Sequence, residues 1–129
     1  MSTLSLQKKP AMTLEQKRSE TAWRFAKEGV ALSDQYKDLA KATPALIMNN
    51  GLLQTLAFFE DKGKPHHKTL AAHLRRWVMT RAGGSEKDIG FSPFMEILLK
   101  ADSSQYRQAT EEALLLLRWL RQFAAAVEA

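Results

Sequence analysis

The amino-acid sequence predicts an all-α fold, a single compact bundle of about five to six helices with no sheet. Apolar residues recur at helical spacing along most of the chain, and no segment alternates apolar and polar residues as a strand would. Two capping-box signatures, Thr13 with Gln16 and Asp102 with Gln105, mark the starts of two helices. These observations together place the chain in the all-α class.

Composition excludes several classes of protein. The chain has 129 residues, of which 45% are apolar, and this is enough for one buried core. It has no cysteine, which removes disulfides and thiolate chemistry and fits a reducing cytoplasm. No apolar run approaches the roughly 20 residues of a membrane span, and the N-terminus lacks the apolar region of a signal peptide. We therefore expect a cytoplasmic protein with one helical domain, residues 13–129, after a flexible tail, residues 1–12.

The individual helices follow from their apolar stripes and end signals. The first is predicted over residues 14–42, because Pro44 disfavours helix at the residue that precedes it. Three later helices are predicted over residues 66–82, 93–101 and 103–127.

The stretch "PALIMNNGLLQTLAFF", residues 44–59, interrupts a helical pattern with Asn-Asn-Gly. Its apolar stripe is predicted to keep helical phase across Gly51 and comprises Ala45, Met48, Leu52, Leu56 and Phe59. We therefore predict a kinked helix, or two short helices nearly in line, in which Asn49 and Asn50 cap the freed backbone groups. A functional role for these amides is the less favoured alternative.

The distribution of charge is the strongest functional signal. The net charge is +5, and residues 62–85, "KGKPHHKTLAAHLRRWVMTRAGGS", contain no acidic residue. Such segregation favours a surface that meets a polyanion, although a solvated face that keeps the protein soluble is the alternative. Lys68, Arg75 and Arg76 are expected to point away from an apolar stripe that includes Trp77. The candidate phosphate-binding residues are Lys62, Lys64, Lys68, Arg75, Arg76 and Arg81, with Lys17 and Arg24 as secondary candidates.

No catalytic or metal-binding pattern is evident. His66 and His73 could share a helix face, but the segment around them offers no carboxylate and the chain offers no thiolate. Adjacent carboxylates in a helix, as in Glu111-Glu112, point about 100° apart and do not converge on one atom. We therefore predict no catalytic residue, no metal, no cofactor and no small-molecule substrate.

The last helix is apolar over more than one face. Its main stripe runs from Tyr106 to Ala124, while Leu115 and Trp119 lie nearly opposite. Either this helix is the centre of the bundle, which we slightly favour, or a partner covers its outer side. Leu115 and Trp119 are accordingly the candidate partner-binding residues.

Two stretches carry a resemblance to a known family. Residues 36–59, "YKDLAKATPALIMNNGLLQTLAFF", resemble the signature of the small helical subunit of Cmr-type (type III-B) CRISPR effector complexes. Residues 106–124, "YRQATEEALLLLRWLRQFA", are similar to the C-terminal helix of that family. The order and the spacing of the two blocks match as well.

The resemblance implies a helical bundle without a catalytic site of its own. In such complexes guide RNA runs along a filament of backbone subunits, and copies of the small subunit stack beside it and line the groove for target RNA. The implied partners are other Cmr subunits, further copies of this chain and the guide–target RNA duplex, in antiviral defence. The resemblance assigns no RNA contact to a particular residue, so the candidates named above rest on charge.

Two other hypotheses remain open at this point. One is a helical adaptor that binds only protein through Leu115 and Trp119, and the other is a small nuclease, which lacks a convergent constellation. If the effector hypothesis holds, reversing Lys68, Arg75 and Arg76 to glutamate should weaken target capture without unfolding the chain.

Overall fold

Helices account for the whole regular structure of residues 11–128, the part of the chain described by this computed structural model. The six helices are α1 (Leu14–Leu32), α2 (Tyr36–Asn50), α3 (Leu52–Lys62), α4 (Pro65–Arg81), α5 (Phe91–Lys100) and α6 (Ser103–Glu128). Both predicted capping boxes are present, with Gln16 N–H donating to the Thr13 hydroxyl (3.1 Å) and Gln105 N–H to the Asp102 carboxylate (2.8 Å). The predicted all-α class is confirmed.

The helix predicted over residues 14–42 is wrong, because the chain turns at residues 33–35 and forms two helices. Ser33 ends α1 in an extended conformation, and α2 begins at Tyr36. The turn brings the Tyr36 ring so close to Gly29 that a Cβ atom at Gly29 would overlap it. Pro44 does not end a helix but lies inside α2, where the preceding Thr43 hydroxyl donates to the Leu39 carbonyl (2.6 Å).

At Gly51 the structure has two separate helices, as one of the predicted alternatives proposed, although the capping differs. Gly51 ends α2 with a φ of 87°, a value that favours glycine. No side chain caps the start of α3, and the Leu53 N–H instead donates to the Tyr106 hydroxyl (3.2 Å). The predicted capping by Asn49 and Asn50 is therefore wrong.

The apolar stripe also changes phase at this break. Leu52, Leu56 and Phe59 are buried as predicted, whereas Ala45 is exposed and Met48 is 74% exposed. The inward positions of α2 are instead Tyr36, Ala40, Thr43 and Ile47. A glycine with positive φ rotates the following helix about its own axis, so one continuous stripe across Gly51 was a mistaken expectation.

Helix α6 is the centre of the bundle, as the sequence slightly favoured. It packs against α1, α2 and α4, and its predicted stripe is buried at Ala109, Ala113, Leu117, Leu120 and Ala124. None of the helices in residues 11–128 is both long and apolar enough to cross a lipid bilayer.

The remaining boundaries agree with the sequence to within a few residues. Helix α4 occupies Pro65–Arg81 and α6 occupies Ser103–Glu128. The sequence predicts Ser92 as the N-cap of α5, but this helix begins at Phe91 after Gly90, so Ser92 lies within it. The predicted tail, residues 1–12, lies mostly outside the described residues.

Candidate nucleic-acid interface

Three lysines of the basic segment lie together where α3 meets α4. Lys62 ends α3, Gly63 adopts a left-handed conformation, Lys64 is the N-cap of α4 and Lys68 follows one turn later. All three lysines are exposed, and none forms an ion pair with an acidic side chain of residues 11–128. The Lys62 ammonium lies 5.6 Å from the centre of the Phe58 ring. We call Lys62, Lys64 and Lys68 the lysine corner.

The backbone at this corner also favours anions. Pro65, the first residue of α4, has no N–H, and the N–H groups of His66 and His67 lie in the first turn, where the helix offers no acceptor. No side chain caps this end of the helix. Because a helix N-terminus carries partial positive charge, the lysine corner adds three cations to an already positive site.

Arg75 does not point into solvent, and that expectation is wrong. Its side chain is buried, with 7% of the residue exposed, and its Nε and Nη2 atoms donate to the two carboxylate oxygens of Asp88, each at 2.8 Å. The hydrogen bonds from Arg75 hold the pKa of Asp88 below its ordinary value. The charge of Arg75 is therefore neutralised inside the fold by an acid that follows the basic segment.

Arg76 and Arg24 hold the same loop between α4 and α5. Arg76 Nε donates to the Glu86 carbonyl (2.9 Å), and Arg76 Nη1 lies 3.4 Å from Glu28. Arg24 contacts Glu86 (3.1 Å) and also pairs with Glu20 (3.0 Å), as the i,i+4 spacing on α1 predicts. We call Arg24, Arg75 and Arg76 the arginine clamp, because each of them contacts an acidic residue of this loop.

Arg81, the last cation of the basic segment, meets a carboxylate as well. Its Nε lies 3.4 Å from Glu112, which also accepts hydrogen bonds from Arg18 (2.8 and 3.1 Å) and from the Trp77 indole (3.0 Å). Burial alone would raise the pKa of Glu112. These hydrogen bonds outweigh that effect, so the pKa of Glu112 lies below its ordinary value. Trp77 is 3% exposed, which confirms its predicted place in the core.

A histidine, a tyrosine and a glutamate form a hydrogen-bonded chain that resembles a catalytic relay in composition only. His73 Nδ1 lies 2.7 Å from the Tyr36 hydroxyl, and His73 Nε2 lies 2.9 Å from Glu28. Burial lowers the pKa of His73 to about 4, an effect that Glu28 partly opposes, so the ring is neutral at pH 7. It then donates from Nε2 to Glu28 and accepts from Tyr36, which is fully buried and inaccessible to a substrate.

His73 also fits no metal site, because its two ring nitrogens are both engaged in these hydrogen bonds. Across residues 11–128, no three His, Asp or Glu side chains are arranged to hold a metal ion.

The secondary candidate Lys17 is exposed near the start of α1, away from the basic segment in sequence. Three arginines of α6 that the charge argument missed, Arg107, Arg118 and Arg121, are exposed and form no ion pair within the described range. Their spacing places them on one helix face, and that periodicity was the available signal.

The candidate partner-binding residues Leu115 and Trp119 are each partly buried. The Trp119 indole donates to Glu15 of α1 (3.2 Å), and its ring lies 5.5 Å from Phe123. Leu115 and Trp119 line a shallow depression with Arg118. Intramolecular contacts thus account for part of the apolar surface opposite the main stripe.

Comparisons with known proteins agree on one class, the small helical CRISPR-associated proteins. The family model described as CRISPR-associated protein (Cas_Cmr5) matches residues 14–127, which include all six helices almost completely. The chain is also 31% identical over 93 residues to the CRISPR system Cmr subunit Cmr5 of Thermus thermophilus. That match covers 72% of this chain and 75% of the relative. The chain therefore belongs to the Cas_Cmr5 family.

Proposed function

We propose that this chain is a non-catalytic structural subunit of a type III-B (Cmr) CRISPR effector complex. It stacks along the guide-RNA filament in the cytoplasm, beside other Cmr subunits and further copies of itself, and helps to bind target RNA in antiviral defence. The observation that supports this proposal is the lysine corner, which presents at the start of α4 three cations without an ion pair among residues 11–128, in a chain of the Cas_Cmr5 family.

The lysine corner binds RNA through its phosphates. Lysine is a mobile point charge without the planar fork of arginine, so it suits a backbone that varies in position. Neutralising phosphates releases condensed counterions, and this gain does not depend on base sequence. Pairing with the guide supplies the sequence specificity, and the subunit adds affinity.

The arginines contribute less to RNA binding than the basic composition suggests. Arg75 is enclosed by the fold, and the guanidinium groups of Arg76, Arg24 and Arg81 already contact acidic residues. Lys62, Lys64 and Lys68 are therefore the primary contacts, with Lys17 as a peripheral one.

The positions of the titratable groups support a non-catalytic role. The relay-like residues Tyr36 and His73 are buried, and Glu112 is occupied by two arginines and an indole. These groups stabilise the fold and are not available to a substrate.

The test uses the complex purified through a tag on this chain. Changing Lys62, Lys64 and Lys68 together to glutamate should lower target-RNA capture while leaving the co-purifying subunits and guide RNA unchanged. The matched control changes Lys27, Lys41 and Lys87, three other exposed lysines, and should leave capture intact. Equal capture by both triple variants would remove the lysine corner from the RNA surface.

The adaptor hypothesis gives a different result in the same purification. Its candidate anchor, Leu115 with Trp119, is only partly exposed, and Glu15 of α1 and Phe123 contact the Trp119 ring. Recovery of an unrelated protein without RNA, lost when Leu115 is changed to serine, would favour an adaptor. Recovery of Cmr subunits with guide RNA would support the effector proposal.

A further inference from the structure

A half-exposed aromatic ring borders the lysine corner. Phe58 of α3 is 43% exposed, although it is one of the larger apolar side chains. Its ring meets the His67 ring edge-on, with centroids 6.3 Å apart, and the Lys62 ammonium lies 5.6 Å from its centre. An exposed aromatic ring beside unpaired cations is the combination by which proteins stack bases of single-stranded nucleic acids.

His67 supplies a second feature at the same place. The residue is 8% exposed, and its Nδ1 atom has no hydrogen-bond partner within residues 11–128. His67 is the third residue of α4, and the backbone N–H groups of this first turn also have no acceptor within the helix. The fold thus leaves a buried polar atom without a partner next to the lysine corner, and such an atom is costly.

We infer that Phe58 and the lysine corner form a site for one unpaired nucleotide of single-stranded RNA. The base stacks on the exposed part of the Phe58 ring, and the adjoining phosphate lies at the N-terminus of α4 among Lys62, Lys64 and Lys68. This inference rests on the proposed function and adds to it an aromatic contact and a preference for unpaired bases. Because every base has a π face, the site tolerates any base.

A second aromatic residue provides the matched control. Trp23 of α1 is 42% exposed and has the Lys27 ammonium 5.8 Å from its ring centre, much as Phe58 has Lys62. Trp23, however, has neither a helix N-terminus nor a group of lysines next to it in the sequence. The two sites thus share an exposed ring and one cation but differ in their capacity for a phosphate.

The experiment measures binding of the full-length chain to two fluorescent oligonucleotides by anisotropy. One is a short single-stranded RNA, and the other has the same length and charge but carries abasic sites. Phe58→Leu keeps the apolar bulk and should weaken binding of the base-bearing RNA about tenfold, within the range for loss of one stacked base. It should leave binding of the abasic strand unchanged. Phe58→Tyr should retain wild-type affinity, and Trp23→Leu should have no effect.

Each other outcome overturns a defined part of the inference. If Phe58→Leu binds both strands as wild type does, while the lysine triple variant binds both weakly, the stacking site is wrong and the charged surface remains. If poly-glutamate competes as well as RNA of equal charge, the corner is a general anion site. If wild type binds neither strand at roughly 100 µM, the weak end of non-specific affinities, both the site and RNA binding by the free chain are rejected.

Discussion

The two ends of helix α4 carry the same charge in the sequence and use it in opposite ways. At the N-terminal end, Lys62, Lys64 and Lys68 are exposed and unpaired within the described residues. At the C-terminal end, Arg75 is buried against Asp88, and Arg76 contacts Glu28 and Glu86. The difference shows that a segment without acids can be half neutralised by acids that the fold brings from elsewhere.

The residue types suit these two environments. A guanidinium presents a rigid fork that matches a carboxylate, and the paired 2.8 Å contacts of Arg75 with Asp88 use that geometry. An ammonium on a flexible stem is more strongly hydrated and remains at the surface. Arginine therefore fastens the loop after α4, while lysine leaves charge available to a ligand.

The largest effect of a single substitution is expected at Glu112, where one carboxylate joins three helices. Glu112→Ala removes the acceptor of Arg18, Trp77 and Arg81, and it leaves the largely enclosed Arg18 guanidinium without its main partner. We expect a loss of about 3–5 kcal/mol in the free energy of unfolding, measured by urea denaturation. The neighbouring exposed Glu111→Ala is the control and should change stability by less than about 0.5 kcal/mol. Similar losses in both variants would contradict the role given to Glu112.

A substitution in the arginine clamp should destabilise the fold much more than a substitution in the lysine corner. Arg75→Ala leaves Asp88 without its bidentate partner and opens a gap in a buried position, so we expect a loss of about 3 kcal/mol. Lys68→Ala should lie within about 0.5 kcal/mol of wild type. Urea denaturation of the two single variants measures the difference, and equal losses would contradict the contrast between the two ends of α4.

The burial of Arg75 also changes the design of the charge-reversal experiment. A variant that combines Lys68, Arg75 and Arg76 to glutamate should unfold, because it places an anion at the buried position 75. A stable triple variant, judged by its thermal midpoint, would show that Arg75 is not held as described.

Acidification should weaken the fold through His73. Its pKa is about 4 in the folded chain against an ordinary 6.5, so the unfolded chain binds more protons between these values. Stability is fully present above pH 6.5 and should fall by about 2 kcal/mol by pH 5.

His67 contributes in the same direction, because burial also lowers its pKa. The His73 part is therefore the difference in pH dependence between wild type and His73→Asn, whatever their stabilities at pH 7. Parallel stability curves for the two proteins between pH 5 and 7 would argue against a buried neutral His73.

The smallest effect on stability is expected at the lysine corner itself. Changing Lys62, Lys64 and Lys68 to glutamine should leave the free energy of unfolding within about 0.5 kcal/mol of wild type. The same variant should reduce the slope of log affinity for RNA against log salt by about 3 if each lysine meets a phosphate. An unchanged slope would place the phosphates elsewhere, with the α6 arginines as the next surface to test.

The features predicted correctly, helix bounds and capping boxes, are those determined by residues close together in the sequence. Helix α4 was placed within one residue at each end, because Pro65, Gly83 and the Leu70–Trp77 stripe are local signals. Both capping boxes were found for the same reason.

What failed depends on residues far apart in sequence. Arg18 and Glu112 are 94 positions apart, and Arg24 and Glu86 are 62 positions apart. No local sequence pattern predicts ion pairs over such separations. The turn at Ser33 was missed because small residues kept the apolar phase of one long helix. The packing of Tyr36 on Gly29 across this turn is visible only in the folded chain. The free charge of the basic segment was overestimated because the acids that pair with its arginines lie outside the segment, at Glu28, Asp88 and Glu112.

The contact between Gly29 and Tyr36 also constrains how this sequence can vary. Because any Cβ at position 29 would overlap the Tyr36 ring, a residue larger than glycine at position 29 is incompatible with a large side chain at position 36. Across relatives that keep the turn at Ser33, substitutions at these two positions should occur together, a larger residue at 29 accompanying a smaller one at 36. A smaller residue at 36 also lacks the hydroxyl that meets His73, so the histidine should change in the same lineages. Positions 29, 36 and 73, on three different helices, are therefore expected to vary together among relatives.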